Sequence, residues 1–397
     1  MYRMRIAGII AEYNPFHNGH AWHIERTRRI TGCDYVIVCM AGHFTQRGEP
    51  VCASKWARAR MALTCGADAV FELPALFATR SADAFARGGV AILGGLGADW
   101  LSFGCETDDM QLIRGLAAIK AEEPESVSRR VREKLDAGMA HARAWGEAAG
   151  DYLGTSGEAV NRPNLALAAE YVRAIAAGGF DMRPVAVLRR GGYHDEDLGA
   201  FASASAIRAA FERGEVEAAL EAVPESIRAL ATPDIMHPMD DLLLHRLRSM
   251  SLEALAALPD AGEGLEHRVH RLCRTCGSRE ALLDALKCKR YTRARLGRML
   301  THALLGVDRA LVEACPTPPY ARLLGVGDGA EALLPELGRR ARIPIASNAK
   351  ELRDSPCFEL ECRATEIWAL LHDDPTARAA GREFTEKFVR VGRWINK

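Results

Sequence analysis

Short apolar runs alternate along this chain with longer stretches in which apolar positions recur every three or four residues. Arg5–Ile10 and Tyr35–Met40 are the first two runs, the second reading Tyr-Val-Ile-Val-Cys-Met. Ala69–Leu73, stopped by Pro74, comes next, then Trp100–Gly104 and Pro184–Leu188. Runs this short, continuous and rich in β-branched residues predict strands buried on both faces. The stretches between them predict helices: one from about His20, then Ser54–Gly66, Ser81–Gly94, a long charged helix over Met110–Gly150, Pro163–Ala177 and Ser205–Arg213. Gly88 and Gly89 weaken the third of these. Strand alternating with helix predicts an α/β class and a parallel sheet, doubly wound by right-handed crossovers.

Past Phe211 the pattern changes. Leucine-spaced segments at Leu242–Leu258, Glu266–Arg274, Glu280–Leu286, Arg293–Leu305 and Glu359–Leu371 predict helices, and no run reads as a strand. An acidic connector, with Glu212, Glu215, Glu217, Glu221 and Glu225 against one Arg213, marks the change. Residues 1–212 therefore read as a doubly wound α/β domain and 213–397 as a C-terminal all-helical domain.

Ligands of doubly wound sheets bind outside the carboxyl ends of the strands. Those ends are Ala11–His20, Ala41–Gly48, Leu73–Ser81, Gly104–Thr107 and Arg189–His194. The first reads Ala-Glu-Tyr-Asn-Pro-Phe-His-Asn-Gly-His, so a strand runs through a turn into His17-Asn-Gly19-His20 and a helix. A helix N-terminus has unpaired N–H groups and partial positive charge, which suits phosphate. Gly19 lets the backbone approach it, and Pro15 fixes the turn. His17 and His20 lie three residues apart and share one side of a starting helix. Both imidazoles can then donate to phosphate oxygens and stabilise charge that builds there during reaction. The arrangement resembles the signature of the nucleotidyltransferase and class I aminoacyl-tRNA synthetase superfamily, in which it binds ATP and promotes attack at the α-phosphate.

Composition changes the picture in only a few places. The chain has 397 residues, with 48% hydrophobic and 26% charged, as in ordinary folded proteins. Its 52 Lys+Arg balance 52 Asp+Glu, which excludes a uniformly basic nucleic-acid surface and leaves room for a local patch. The Arg-rich balance matches a GC-rich genome and carries no functional weight. No secretory pattern opens the chain and no apolar run is long enough to span a bilayer, so a cytoplasmic, reduced protein is expected. The 11 Cys are then free thiols. Cys273 and Cys276 form one CxxC with Cys288, His267 and His270 nearby, but no second CxxC completes a zinc site, and no metal is assigned.

One local patch stands out. Lys287, Lys289, Arg290, Arg293, Arg295 and Arg298 fall in a segment with no acidic residue, beside an apolar stripe of Leu296, Met299, Leu300 and Leu304. Such a face neutralises phosphates, and Tyr291 could stack on an unpaired base. A solvated Arg-rich helix face is the other reading, and both stay open.

Taken together, these stretches resemble the bacterial tRNA(Met) cytidine acetate ligase family over nearly the full length. The resemblance is carried by Glu12–His20, Met40–Pro50, Lys55-Trp56, Glu72-Leu-Pro74, Ser81-Ala82 and Ser102-Phe103-Gly104. It continues through Pro163-Asn164, Glu170-Tyr171, Gly192-Tyr193-His194-Asp195, Ala202–Arg208, Lys287–Arg298 and Ile343-Pro344. It implies an ATP-dependent ligase that forms a C–N bond. Acetate would attack the α-phosphate to give acetyl-adenylate and pyrophosphate. The N4 amine of the wobble cytidine, position 34 of elongator tRNA(Met), would then take the acetyl group. ATP is a substrate, with Mg²⁺, and no protein or membrane partner is implied.

The same resemblance implies an ATP site made of Ile10, Ala11, Glu12, Tyr13, Asn14, Pro15, Phe16, His17, Asn18, Gly19, His20, Ala21, Trp22 and His23, with Gly104, Asn164, Arg189 and Arg190. Ser203, Ser205 and Arg208 resemble a phosphate-binding helix start. His17, His20 and Lys55 are the implied catalytic groups, and Arg47 is a further cation from the second loop. Lys287, Lys289, Arg290, Tyr291, Arg293, Arg295 and Arg298 are the implied tRNA contacts. The chain departs from the family at His43, Ser54, Cys105, Leu165 and Ala168, departures that bear on base and acetate contacts. A small-metabolite adenylyltransferase would share the histidines but not need the helical half. A non-catalytic RNA-binding protein would not need His17, Gly19, His20 and Ser203–Arg208 intact. A class I synthetase would show a Lys-Met-Ser-Lys-Ser-like loop, which is absent.

Overall fold

Alternate residues of a buried strand go to opposite faces of its sheet, and the second strand shows the consequence. Val36, Val38 and Met40 enter one core with Ala7 and Ile9, while Ile37, Cys39 and Ala41 enter another with Ile6 and Ile10. The computed structural model of the protein describes residues 3–189, 199–231, 237–288 and 290–392. Strands β1 (Ile6–Ala11), β2 (Tyr35–Ala41), β3 (Ala69–Leu73), β4 (Trp100–Cys105) and β5 (Arg183–Leu188) lie in the order β5-β4-β1-β2-β3. All their pairings are parallel. Helices α1 (Asn18–Thr31) and α2 (Lys55–Thr64) cover one face, contributing Ile24, Trp56, Ala59 and Met61 to its core. Helices Ala82–Gly95 and Pro163–Ala177 cover the other with Val90, Leu93, Leu165 and Ala168. The glycines that count against Ala82–Gly95 as a helix serve its packing. A Cβ at Gly89 would lie 2.6 Å from Cδ1 of Ile10, so glycine lets the helix close on β1.

The predicted α/β sheet is therefore present, with element ends shifted by a residue or two. The long helix expected over Met110–Gly150 is three, Met110–Glu122, Glu125–Asp136 and His141–Leu153. Glu123 at φ 45 and then Pro124 end the first, and Gly138 at φ 85 follows the second. In the second half, Leu265–Leu272, Arg279–Leu286, Arg293–Leu305 and Pro356–Leu370 are helical as read, whereas Leu242–Leu258 is two helices, Asp240–Ser249 and Leu252–Ala256, separated by extended Met250. That half is not all-helical, however. Strands β6 (Ala321–Gly327), β7 (Ile345–Ala346) and β8 (Val389–Val391) extend the sheet beyond β3. β6 runs antiparallel to β3, and β7 and β8 pair in parallel with its two ends. Two- and three-residue strands are too short to show a period, and β6 places Arg322 and two glycines within its run.

Arg322 belongs in that strand because its charge is met there. It lies opposite Glu72 of β3, and its Nη1 donates to Glu72 Oε2 at 2.9 Å and to Glu383. Lys55 of α2, with no exposed side-chain surface, donates to the same two carboxylates, to Glu383 at 2.6 Å. Glu361 lies 3.9 Å from Lys55 and accepts the Ala75 N–H. Burial, reinforced by the charge of Glu72, pushes the Glu361 carboxyl well above its usual range. Protonated Glu361 leaves two cations against two carboxylates. Lys55, expected at the catalytic centre, is thus sealed in the join between β3, β6 and the C-terminal helices. No helix among the described residues is long and apolar enough to cross a membrane.

Glu72→Ala should cost about 3–5 kcal/mol, because it leaves two buried cations facing one carboxylate. The shift of the urea unfolding midpoint measures this. A cost below about 1 kcal/mol would show that water reaches the cluster.

Candidate active site

Parallel strands deliver their carboxyl ends to one edge. The strand order reverses at β1, since the chain leaves it toward β2 and later returns to its other side as β4. The crevice expected at such a reversal is a cleft of about 400 Å³. Ile10, Ala11, Glu12, Tyr13, Asn14, His17, Gly19, His20, Trp22 and His23 line it, with Gly104, Asn164, Arg189, Ser203, Ser205, Arg208 and Arg47. Distant segments thus converge as the sequence reading requires. Pro15, Phe16, Asn18 and Ala21 support the wall instead. The Asn14–Pro15 peptide is cis, and Phe16 packs edge-on to Tyr13 at 4.7 Å. Asn18 Nδ2 donates to Ala200 O at 2.8 Å and Glu221 O at 3.2 Å, and Ala21 packs on the core. Arg190 and Lys289 lie outside the described residues. Thr45, Gln46, Phe85, Phe103, Tyr171 and Phe201 also line the cleft. Thr45, Gln46, Phe103 and Tyr171 fall in stretches that carry the family resemblance, but their apolar or neutral side chains gave no chemical reason to place them in the site.

The histidine pair is built differently from a bare helix N-terminus. His17 Nδ1 accepts the Gly19 N–H at 3.0 Å, and His20 Nδ1 accepts the His17 N–H at 3.2 Å. The two rings stack at 3.7 Å between centroids. The Asn18 N–H goes to Ala222 O and the His20 N–H to His17 O. The first amides of α1 are therefore all used, and the expectation that they receive phosphate is corrected. Gly19 is needed for the cap itself, since a Cβ there would lie 2.8 Å from His17 Cε1. An imidazole whose Nδ1 accepts carries its hydrogen on Nε2. Both rings thus keep one donor, Nε2–H. His23 has the same tautomer by a longer route. Thr27 Oγ1 donates to His23 O, so Ser102 must donate to Thr27 and accept from His23 Nε2 at 3.0 Å.

Burial, then the charge of Arg189, lowers His17 to about 3 and His23 to about 4. His20 is held well below the usual range by burial and then by its neighbours His17, Arg189 and His23. The three imidazoles are neutral donors at pH 7, and positive charge comes from arginine. Arg208 Nη1 donates to Asn14 O at 2.6 Å, bringing the helix Ala204–Glu212 onto the turn after β1. Glu12 Oε1 accepts the Gln46 N–H at 2.7 Å, and burial raises the pKa of this carboxyl. Arg58, buried and unsuspected from the sequence, gathers the same loops. It donates to the carbonyls of Glu12, Ala41, Gly42 and Ala53. The Arg47 loop is fixed from behind by the helix Arg293–Leu305. Thr301 Oγ1 donates to Gly48 O at 2.6 Å, and a Cβ at Gly297 would lie 2.7 Å from Arg47 O.

Comparison with known proteins agrees with this geometry. Residues 4–383 match the family model described as HIGH Nucleotidyl Transferase. The tRNA(Met) cytidine acetate ligase of Syntrophomonas wolfei is 34% identical over 412 residues, covering 96% of this chain and 98% of its own. The chain belongs to the tRNA(Met) cytidine acetate ligase family of HIGH nucleotidyltransferases. The Bacillus subtilis ligase is 36% identical, with 94% of each chain covered. The structure of Thermotoga maritima TmcAL bound with alpha-thio ATP has a TM-score of 0.89 at 30% identity, over 98% of this chain and 100% of that one.

The five departures from the family pattern lie away from the cleft. His43 is buried, bonded to Thr365 and stacked on Trp368, and Ser54 caps α2. Cys105, Leu165 and Ala168 are core residues. The basic segment of this family member also differs from its reading. Tyr291 is buried, with its hydroxyl on Glu263 O, so it cannot stack on a base. Arg295 covers that ring at 5.1 Å and donates to Asp260 O, and Arg298 pairs with Asp260 at 3.3 Å. Arg293 pairs with Asp284 and Glu280. A segment without acidic residues acquires them from its neighbours in space. Lys287 and Arg290 are exposed. Cys273 is buried and donates to His270 O, whereas Cys288 is exposed beside Arg268.

Ring ¹⁵N spectra of the unliganded protein should show His17, His20 and His23 as Nε2–H tautomers that do not titrate between about pH 5 and 8. An imidazolium signal in that range would refute the assignment. The folded values lie below that of free imidazole, so the unfolded chain binds more protons between about pH 4 and 6.5. Stability should fall as pH drops through that window.

Proposed function

We propose that this chain is an ATP-dependent ligase that acetylates a cytidine of tRNA(Met). The observation that carries the reading is the pair of Nε2–H donors of His17 and His20. They are locked by backbone amides and face the cleft beside Arg189 at the strand reversal. The ATP analogue held by the Thermotoga maritima relative supports the nucleotide, and the relatives' names support the tRNA.

In the first step an acetate oxygen attacks the α-phosphorus of ATP, and the bond to pyrophosphate breaks. Negative charge builds on the α-phosphate oxygens, where pre-oriented neutral donors are worth most. Arg189, Arg208 and Arg47 offset the charge of the triphosphate, and Ser203 and Ser205 add hydroxyl donors. In the second step the N4 amine of cytidine 34 attacks the acetyl carbonyl. AMP leaves with the electron pair of the broken C–O bond, and N4 loses one proton. Among the described residues no group of three or more His, Cys, Asp or Glu could cage a metal ion. Mg²⁺ would enter with the ATP phosphates, which supply most of its ligands in sites of this kind. Residues 1–212 supply the chemistry. The helices that follow supply the tRNA contact, with the exposed Lys287 and Arg290 as phosphate contacts.

Incubation with ATP, radiolabelled acetate and a tRNA(Met) transcript should place label in the tRNA as N4-acetylcytidine. Pyrophosphate exchange with another acid and no transfer would sink the acetate reading. His20→Ala should lower acetyl-adenylate formation by about 10²–10³; an unchanged rate refutes the donor role. For tRNA binding, Lys287→Ala with Arg290→Ala should lower the slope of log affinity against log salt by about 1–2. Arg298→Ala should reduce thermal stability and leave that slope unaltered. A reversed pattern would move the tRNA surface elsewhere.

A further inference from the structure

Four helices begin at the cleft, at Asn18, Ala82, Pro163 and Ala204, and residues at each start line it or support its wall. Among the described residues, only the helix Pro163–Ala177 has its N-terminus taken by a carboxylate of this chain. Arg162, at its cap position, makes no side-chain cap bond. Glu106, which follows β4, reaches across instead. Its Oε2 accepts the Leu165 N–H at 2.9 Å, and its Oε1 accepts the Asn164 N–H at 3.2 Å and the Asn164 side-chain Nδ2 at 2.7 Å.

The side-chain bond has a directional consequence. An amide that gives its NH₂ to Glu106 must turn its oxygen the other way. Asn164 Oδ1 then accepts from Arg189 Nη1 at 3.4 Å. Arg189 is the cation whose charge all three cleft imidazoles feel. Its side chain crosses the end of β4, where a Cβ at Gly104 would meet Arg189 Cγ at 3.4 Å.

We infer that Glu106 is a positioning residue for the reaction: by capping the helix at Pro163 and orienting the Asn164 amide, it holds the Arg189 guanidinium beside the phosphate donors His17 and His20. Glu106 also offsets the positive end of that helix, which leaves the Arg189 guanidinium as the cation on the Asn164 side of the cleft. The inference rests on the cleft being an ATP site, and its test separates the two.

ATP alone, without acetate or tRNA, is titrated calorimetrically into wild type, Glu106→Ala, Glu106→Gln, Arg189→Ala and the Glu106→Ala/Arg189→Ala double variant, with the melting temperature of each recorded. Glu106→Ala should weaken ATP about tenfold, and Glu106→Gln, which keeps an acceptor for the Asn164 amide, should recover most of it. In the Arg189→Ala background, Glu106→Ala should add less than about twofold. An equal loss in both backgrounds would show that Glu106 only caps a helix, and no loss in either would remove its role; each outcome overturns the inference. A wild-type protein that does not bind ATP overturns it together with the reading beneath it. Where Glu106→Ala fails to fold, Asn164→Asp carries the test. Alone it sets two carboxylates against each other and should lose ATP affinity, whereas Asn164→Asp with Glu106→Gln restores a donor–acceptor match. Failure of the pair to regain affinity overturns the inference.

Discussion

Two cations with almost no access to water, Lys55 and Arg322, lie where β3 meets β6. An unpaired buried charge costs more than the chain's whole stability margin allows, so these two must be met by carboxylates. Glu72 comes from β3, but Glu383 and Glu361 come from the C-terminal segment. The cluster therefore requires the end of the chain to return to the sheet it began with. That return packs Pro356–Leu370 against the short helix Ala75–Ala78 after β3 and helps hold Arg293–Leu305 against the Arg47 loop, with which it makes close backbone contact. The geometry of the cleft thus depends on charges that never reach it.

The cleft follows a different rule. Its imidazoles are neutral because burial, and then the charge of neighbouring groups including Arg189, disfavours the imidazolium, and its charge is delegated to guanidinium groups that cannot lose their protons. This division suits a site that holds a polyanion such as ATP. Neutral N–H donors stabilise charge that develops during reaction without binding the ground state as tightly as fixed cations would. Arg58 contributes without touching the cleft. By gathering carbonyls from the ends of β1 and β2, it fixes the relation between the histidine turn and the Arg47 loop.

What could be read from the sequence was what local pattern controls. The first five strands were legible because each is a short apolar run between turn signals. The histidine turn was legible because strand, Pro15, Gly19 and helix occur in immediate succession. The rest depended on distant partners. Lys55 reads as a loop cation until Glu383 arrives 328 residues later. Arg293, Arg295 and Arg298 read as part of a nucleic-acid face until Asp260, Glu280 and Asp284 fold against them. β6 hides because the charge near its start, Arg322, is met only by Glu72 across the sheet and by Glu383. In each case a charged side chain was assigned to solvent or ligand when the fold had supplied its partner.

The same reasoning runs in reverse for Glu106. It reads as one more acidic residue after a strand, with no partner nearby in sequence. Its partners are the first amides of a helix that starts 57 residues later, and the side chain of Asn164. A carboxylate that satisfies two backbone donors is structural by any count. The third donor is different, because the Asn164 amide has two ends and only one can face Glu106. Whatever orients that amide decides whether Arg189 meets an acceptor or a donor. A residue can therefore act on the phosphates at one remove, through the choice of which atom a neighbour presents. The capping and positioning roles come from one carboxylate, and only their dependence on Arg189 separates them.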